Sequence, residues 1–156
     1  MFPGSFDPPT NGHMNLIKRA SSIFEELYVV IAVNDQKNPL FSSQERFEMM
    51  SLLLKNYSNV TVKLWDKLVV KFAEKNHVKV MIRGVRALVD FGYEFELAMT
   101  NKELSPEVDI MFMPTDPKYF VLRSSAIKEI ALLDGDIGAM VPPVVASALK
   151  QRLRGS

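Results

Sequence analysis

The sequence contains no cysteine, which excludes a disulfide framework, a thiolate zinc site and a thiol nucleophile together. Histidine is almost as scarce: His13 and His77 are the only two, too few for a histidine-rich metal cage. A dominant charge is lacking as well. The 19 Lys and Arg against 18 Asp and Glu leave a formal charge of +1, so the chain as a whole has no electrostatic claim on nucleic acid or on a membrane surface. Any anion site has to be built locally. No stretch approaches the roughly 20 apolar residues of a membrane span, and no basic segment followed by an apolar run opens the chain. There is no internal repeat, low-complexity stretch or linker. The expectation from these absences is a cytoplasmic protein with neither nucleic-acid nor membrane partners.

What is present is enough apolar material for a core. Of 156 residues, 47% are hydrophobic, which suits a single domain spanning residues 1–156. Met14, Leu16, Ile17, Ala20, Ile23, Phe24 and Leu27 recur at helical spacing, and the β-branched run "LYVVIAV" (27–33) follows as a buried strand. The alternation then repeats. "FSSQERFEMMSLLLKN" (41–56) begins with a capping box, Ser42 with Glu45, and leads to the strand "VTVKLW" (60–65). A helix within 66–76 precedes the strand "VKVMIR" (78–83); a long helix from Asp90 to Leu104 precedes the strand "VDIMFMP" (108–114). "SSAIKEIALL" (124–133) and "PVVASALKQRL" (143–153) read as two further helices, the latter with proline in its first turn. Strands that are continuously apolar, alternating with helices, predict a doubly wound, Rossmann-like α/β fold with a five-stranded parallel sheet and helices on both faces. The first strand is the odd one. Only Met1 and Phe2 precede Pro3, which leaves either an unusually short strand or a chain whose beginning lies upstream.

In such a sheet ligands bind at the carboxyl ends of the strands, so the loops found there carry the chemistry. The first is "PGSFDPPTNGH" (3–13). Its glycines let backbone approach a ligand closely, and its end presents free N–H groups at a helix start, with His13 in the first turn. Read alone, His13 either donates to a phosphate oxygen or merely caps its helix. Lys37, past the second strand, is either a phosphate contact or a solvated lysine. Arg83 and Arg86 bracket Gly84 at a strand end, where they face a ligand or pair with Asp90 or Glu94. Ser124 and Ser125 open a helix with hydroxyls and unpaired N–H groups, as phosphate donors or as an ordinary cap. His77 precedes its strand and so lies at the wrong end of the sheet. The nine methionines fall at buried spacing and read as core.

"PGSFDPPTNGH", "IRGVRALVDFGYE" (82–94) and "SSAIKEI" (124–130), in that order and with "VPP" (141–143) near the end, resemble the phosphopantetheine adenylyltransferases, bacterial nucleotidylyltransferases with the T/HxGH motif. The resemblance runs from Pro3 to the last helix. It implies adenylyl transfer from ATP to 4′-phosphopantetheine, giving 3′-dephospho-coenzyme A and pyrophosphate, with Mg2+ carried on the ATP phosphates rather than on a protein metal site. It further implies a cytoplasmic homohexamer and feedback by coenzyme A. On this resemblance His13 corresponds to the stabiliser of the transition state at the α-phosphate, with Lys37 and Arg83 beside it in catalysis. Ser5, Lys37 and Arg83 correspond to the holders of the acceptor phosphate, and Val69 to a position along the pantetheine arm. Ser5, Phe6, His13, Gly84, Val85, Arg86 and Glu94 correspond to ATP-binding positions, as does the closing loop of Tyr119, Phe120, Val121, Leu122, Arg123, Ser124 and Ser125. Two positions depart from the wider pattern: Thr10 stands where the superfamily often has histidine, and Arg123 where this family has a small hydroxyl residue.

Overall fold

A computed structural model describes residues 1–34 and 38–154. The chain alternates strand and helix throughout: β1 (Phe2–Gly4), α1 (Asn11–Ser21), β2 (Leu27–Ala32), α2 (Ser43–Leu54), β3 (Val60–Trp65), α3 (Val69–Lys75), β4 (Val80–Val85), α4 (Leu88–Leu104) and β5 (Asp109–Pro114), then a short 3-10 turn over Pro117–Tyr119, α5 (Ser124–Leu132) and α6 (Pro143–Arg154). Local chemistry explains several of these boundaries. Thr10 caps α1 and Ser42 caps α2, each inside a reciprocal capping box, and the α2 box is the Ser42–Glu45 pair read from the sequence. The first helix stops at Ser21 rather than running through Phe24, because Ser22 turns its own N–H back to the Arg19 and Ala20 carbonyls.

All strand pairs are parallel, but they do not join into the expected five-stranded sheet. The order is β1-β2-β3 in one sheet and β4-β5 in a second. The reason lies in β1. Alternate residues of a parallel strand bond to opposite neighbours. Met1 offers both of its backbone groups to β4, donating to the Val80 carbonyl at 2.7 Å and accepting from the Ile82 N–H at 2.8 Å. The next residue on that edge is Pro3, which has no N–H to give. The two sheets therefore abut along a two-bond seam, in the spatial order β3-β2-β1, β4-β5. β4 also runs to Val85, two residues beyond the predicted strand, so Arg83 lies inside it rather than at its end.

Successive residues of β2 point to opposite faces, and both faces are covered. Leu27, Val29 and Ile31 pack with Leu16, Ile17 and Ala20 of α1 and Met50 and Leu54 of α2. Val30 packs on the other side with Val70, Phe72 and Ala73 of α3. A third cluster, including Ile127 of α5 with Val145 and Leu149 of α6, lies against Phe41 and Met49. Of the methionines, Met49, Met50, Met81 and Met113 are buried as expected, whereas Met99 and Met111 are exposed. Among the described residues no helix is long and apolar enough to cross a membrane.

This winding fixes where a ligand can sit. The chain proceeds outward from β1 to β2 and β3 on one side of the seam, and from β4 to β5 on the other. The loops leaving the carboxyl ends of β1 and β4 therefore diverge and leave a crevice between them, as at the switch point of any doubly wound fold.

Candidate active site

The crevice is a cleft of about 450 Å3, walled by the loop after β1, the start of α1, the end of β4, one face of α4 and the start of α5. Its floor is glycine-dependent at two points. A Cβ on Gly84 would come within 2.4 Å of Leu16 Cδ1, and one on Gly4 within 3.0 Å of the Phe6 ring. The expectation was that Gly4 admits a ligand; the close neighbour it admits is Phe6.

His13 is placed with unusual specificity for a side chain at a helix start. The Thr10 N–H donates to His13 Nδ1 at 3.0 Å, while Thr10 Oγ1 accepts from the His13 N–H at 3.3 Å. A backbone N–H can only donate, so Nδ1 presents its lone pair and the proton of the neutral ring sits on Nε2. Burial, and then the nearby positive charge of Arg86, push the imidazole pKa down from 6.5 to about 4. At neutral pH the ring is therefore an uncharged N–H donor lining the cleft. The two readings left open by the sequence, cap or phosphate donor, are compatible: Nδ1 caps and Nε2 is left for a ligand.

Behind the histidine, Phe6 is fully buried with its ring edge-on to His13 at 5.0 Å and to Phe2 at 5.8 Å. Its φ of 49° is in the left-handed region, costing on the order of 1 kcal/mol for a side chain of this size. The neighbours hold that conformation. Arg46, 1% exposed, donates from Nη1 to the Ser5 carbonyl at 2.7 Å and from Nε to the Phe41 carbonyl at 3.1 Å. Asp7 accepts from the Leu40 N–H at 3.0 Å and the Phe41 N–H at 2.9 Å, and pairs with Lys128 at 2.9 Å. Its pKa stays below the usual value although burial alone would raise it, because Lys128 and the two N–H groups favour the carboxylate. Sequence reasoning missed these three residues. Arg46 did carry a signal: it is a charged residue at a position spaced like Met49 and Met50 on the apolar face of α2.

The opposite wall is cationic. Arg83 Nε pairs with Glu94 at 2.6 Å and Arg86 Nε with Asp90 at 3.0 Å, the two carboxylates lying one turn apart on α4. Arg86 Nη1 also donates to the Leu122 carbonyl at 2.9 Å, and Arg123 Nη2 lies 3.5 Å from Asp90. Three guanidiniums thus face two carboxylates beside a neutral histidine, and the wall retains positive charge for an anion. Arg83 and Arg86 are ion-paired, with Glu94 and Asp90 respectively, and both also line the cleft. At the start of α5, Ser124 Oγ donates to the Pro8 carbonyl at 3.0 Å, tying this helix to the first loop, and the side chain of the N-cap residue, Arg123, makes no cap bond.

Of the residues singled out from the sequence, the cleft gathers Ser5, His13, Arg83, Gly84, Arg86, Glu94, Tyr119, Leu122, Arg123, Ser124 and Ser125. Phe6 lies buried behind His13, Val85 ends β4 half-buried without lining the cleft, and Phe120 and Val121 point to solvent, 53% and 71% exposed. Val69 opens α3 and packs against the cluster that holds Phe72, and it does not line the cleft. Lys37 lies outside the described residues.

The profile of the cytidylyltransferase-like family matches residues 1–130. The phosphopantetheine adenylyltransferase of Caldanaerobacter subterraneus subsp. tengcongensis is 43% identical over 156 residues, covering 100% of this chain and 98% of its own length. The chain belongs to the phosphopantetheine adenylyltransferase family. Members from Dictyoglomus turgidum and Streptomyces coelicolor are 45% and 43% identical, covering 99% and 97% of this chain and 96% and 95% of their own lengths. A crystal structure ascribed to a nicotinate-nucleotide adenylyltransferase of Vibrio parahaemolyticus superimposes with a TM-score of 0.70 at 20% identity, over 97% of this chain and 91% of the other. That likeness concerns the fold, and it places this member of the phosphopantetheine adenylyltransferase family among Rossmann-like α/β proteins.

Proposed function

We propose that the chain transfers the adenylyl group of ATP to the phosphate of 4′-phosphopantetheine, releasing pyrophosphate and 3′-dephospho-coenzyme A. The observation that carries the reading is the pairing of a neutral Nε2–H donor on His13 with the arginine wall, at the switch point of a chain from this family. An oxygen of the acceptor phosphate attacks the α-phosphorus, the new P–O bond forms as the bond to the β-phosphate oxygen breaks, and the electron pair leaves with pyrophosphate. A phosphate monoester has a second pKa of about 6 and is mostly dianionic at neutral pH, so the attack needs no protein base and no covalent intermediate. Catalysis then consists of aligning two repelling anions and stabilising charge on the transferred phosphoryl group.

In this reading His13 Nε2–H meets the α-phosphate, and Ser5, Lys37 and Arg83 hold the acceptor phosphate. Gly84, Arg86, Glu94 and the segment from Tyr119 to Ser125 receive ATP, with Phe6 and Val85 as supports and Val69 along the pantetheine arm. Among the described residues no cluster of three His, Cys, Asp or Glu side chains could hold a metal ion, and Asp90 and Glu94 are already engaged by arginines. In the same proposal magnesium enters on the ATP phosphates, as part of the substrate. Exposed Phe91, Phe95, Met99 and Met111 on α4 and β5 suit assembly with further copies, and a cytoplasmic homohexamer of single-domain subunits belongs to the same proposal. The test is pyrophosphate release from MgATP with and without phosphopantetheine. Release only with that acceptor supports the proposal; release with nicotinate mononucleotide instead, or none, refutes it.

A further inference from the structure

Asn11 is the first residue of α1, one place after the cap, and asparagine there does little for the helix itself. The capping box is already made by Thr10 and His13, and asparagine is among the weaker helix formers. Both of its donors turn outward instead. The backbone N–H donates to the Met140 carbonyl at 2.9 Å and Nδ2 to the Ala139 carbonyl at 2.9 Å, consecutive acceptors in the connection between α5 and α6. That connection is a firm anchor. Ile137 and Val141 are 2% and 1% exposed in the cluster with Ile127, Val145 and Leu149, and the Met140 N–H closes a turn on the Ile137 carbonyl at 2.9 Å. Further ties reach the same stretch from α5: Ser124 Oγ to the Pro8 carbonyl and Lys128 Nζ to Asp7. Residues 7–11, which lead into His13, are thus held from residues 124–140, and Asn11 is the last of the ties before the ring.

Resting on the proposed reaction, we infer that Asn11 is a positioning residue for His13: it moors the first turn of α1 to the α5–α6 connection and so fixes where the Nε2–H stands in the cleft. The coupling is short. Thr10, whose N–H holds the ring through Nδ1, stands between Pro9, whose own ring fixes its φ, and Asn11, so that mooring Asn11 secures the second side. Without Nδ2 the turn keeps only the backbone bond to Met140 and can pivot about it, which loosens the Thr10–His13 pair and admits other ring orientations and the other tautomer. A misplacement of about 1 Å at a reacting group can cost about 10²-fold in rate. The Nδ2 bond itself is solvent-exposed, so its loss costs little stability by comparison.

The test measures kcat and KM for Asn11→Ala, Asn11→Gln, His13→Ala and the double variant Asn11→Ala with His13→Ala, and records the ring-nitrogen NMR signals of His13 alongside. Asn11→Ala lowers kcat about tenfold and leaves the KM for MgATP within about twofold, and Asn11→Gln, which keeps the amide donor, recovers most of the loss. In the His13→Ala background the same Asn11→Ala change lowers kcat less than about twofold, because a residue that acts through the ring has nothing left to act on. The ring signals of His13 move in Asn11→Ala from the Nε2–H form toward a mixture of tautomers. An equal loss in both backgrounds, no loss in either, or ring signals unchanged by Asn11→Ala overturns the inference. A wild-type chain that transfers no adenylyl group, while the ring signals shift in Asn11→Ala, overturns the proposed reaction and leaves the positioning role of Asn11 standing.

Discussion

Replacing His13 with alanine removes two hydrogen-bonding functions of one ring, and the geometry separates their consequences. Nδ1 accepts from the Thr10 N–H at 3.0 Å, so its loss uncaps one donor at the start of α1, costing about 1 kcal/mol of stability. The lost edge contact with Phe6, 5.0 Å between centroids, adds about 0.5–1.5 kcal/mol. The chain still folds. Nε2–H is different, because a donor aimed at developing charge matters chiefly in the transition state. Removing one such preorganised donor costs about 2.7–4 kcal/mol of barrier, or roughly 10²–10³ in kcat. ATP affinity is set largely by the arginine wall and should shift by less than about threefold. The assay is steady-state pyrophosphate release over a range of MgATP at saturating phosphopantetheine, with urea unfolding measured in parallel. A kcat loss below tenfold, or a loss appearing wholly in KM, would refute the role given to Nε2. So would a wild-type kcat inflection near pH 6.5 that disappears in the variant, since it would show the ring titrating where burial and Arg86 hold it neutral.

The same ring gives a pH signature in stability. Its folded-state pKa of about 4 lies below the unfolded 6.5, so the unfolded chain takes up the proton more readily; stability is full above about pH 6.5 and falls by up to about 3 kcal/mol as the pH drops toward 4. Urea midpoints between pH 7 and 4.5 should show that slope in the wild type and a flatter one in His13→Ala. Arg46→Met strands the buried Phe41 carbonyl and frees the part-buried Ser5 carbonyl, and we expect a loss of about 2 kcal/mol together with reduced kcat as the Ser5–Phe6 backbone relaxes; unchanged kcat would sink the positioning role. Asp7→Asn breaks a three-way tie among the first loop, residues 40–41 and Lys128, costing about 2 kcal/mol after allowing for the partly exposed lysine, and a midpoint within error of wild type would contradict it. Gly84→Ala sets a methyl 2.4 Å from Leu16 Cδ1; the leucine end can move, so the expected cost is about 1–2 kcal/mol by thermal unfolding, relieved by Leu16→Ala in the same chain.

Much of the fold was legible because hydrophobic period and capping chemistry act locally. The Ser42–Glu45 box, the apolar run at 27–32 and the proline at the start of α6 each name their element without reference to the rest of the chain. What the sequence concealed depends on neighbours. The division into two sheets follows from Pro3 falling on the edge that faces β4, and that edge is known only once β4 is beside it. Asp7 and the Ser5 contact of Arg46 could not be paired from the sequence, because the N–H groups and the carbonyl involved lie 33 to 41 residues away in the chain. In the site, the loops could be read as electropositive, but the sharing of Asp90 between Arg86 and Arg123 joins residues on three separate elements. The tautomer of His13 was likewise beyond reach, since it rests on one backbone N–H three residues earlier.

The central claim is acceptor-dependent adenylyl transfer, and its most direct measurement is the mass of the product. Wild-type chain incubated with MgATP and 4′-phosphopantetheine should yield 3′-dephospho-coenzyme A and pyrophosphate in equal amounts, with no covalent adenylate on the protein. Pyrophosphate without dephospho-coenzyme A, an adenylated chain, or no turnover would contradict the account.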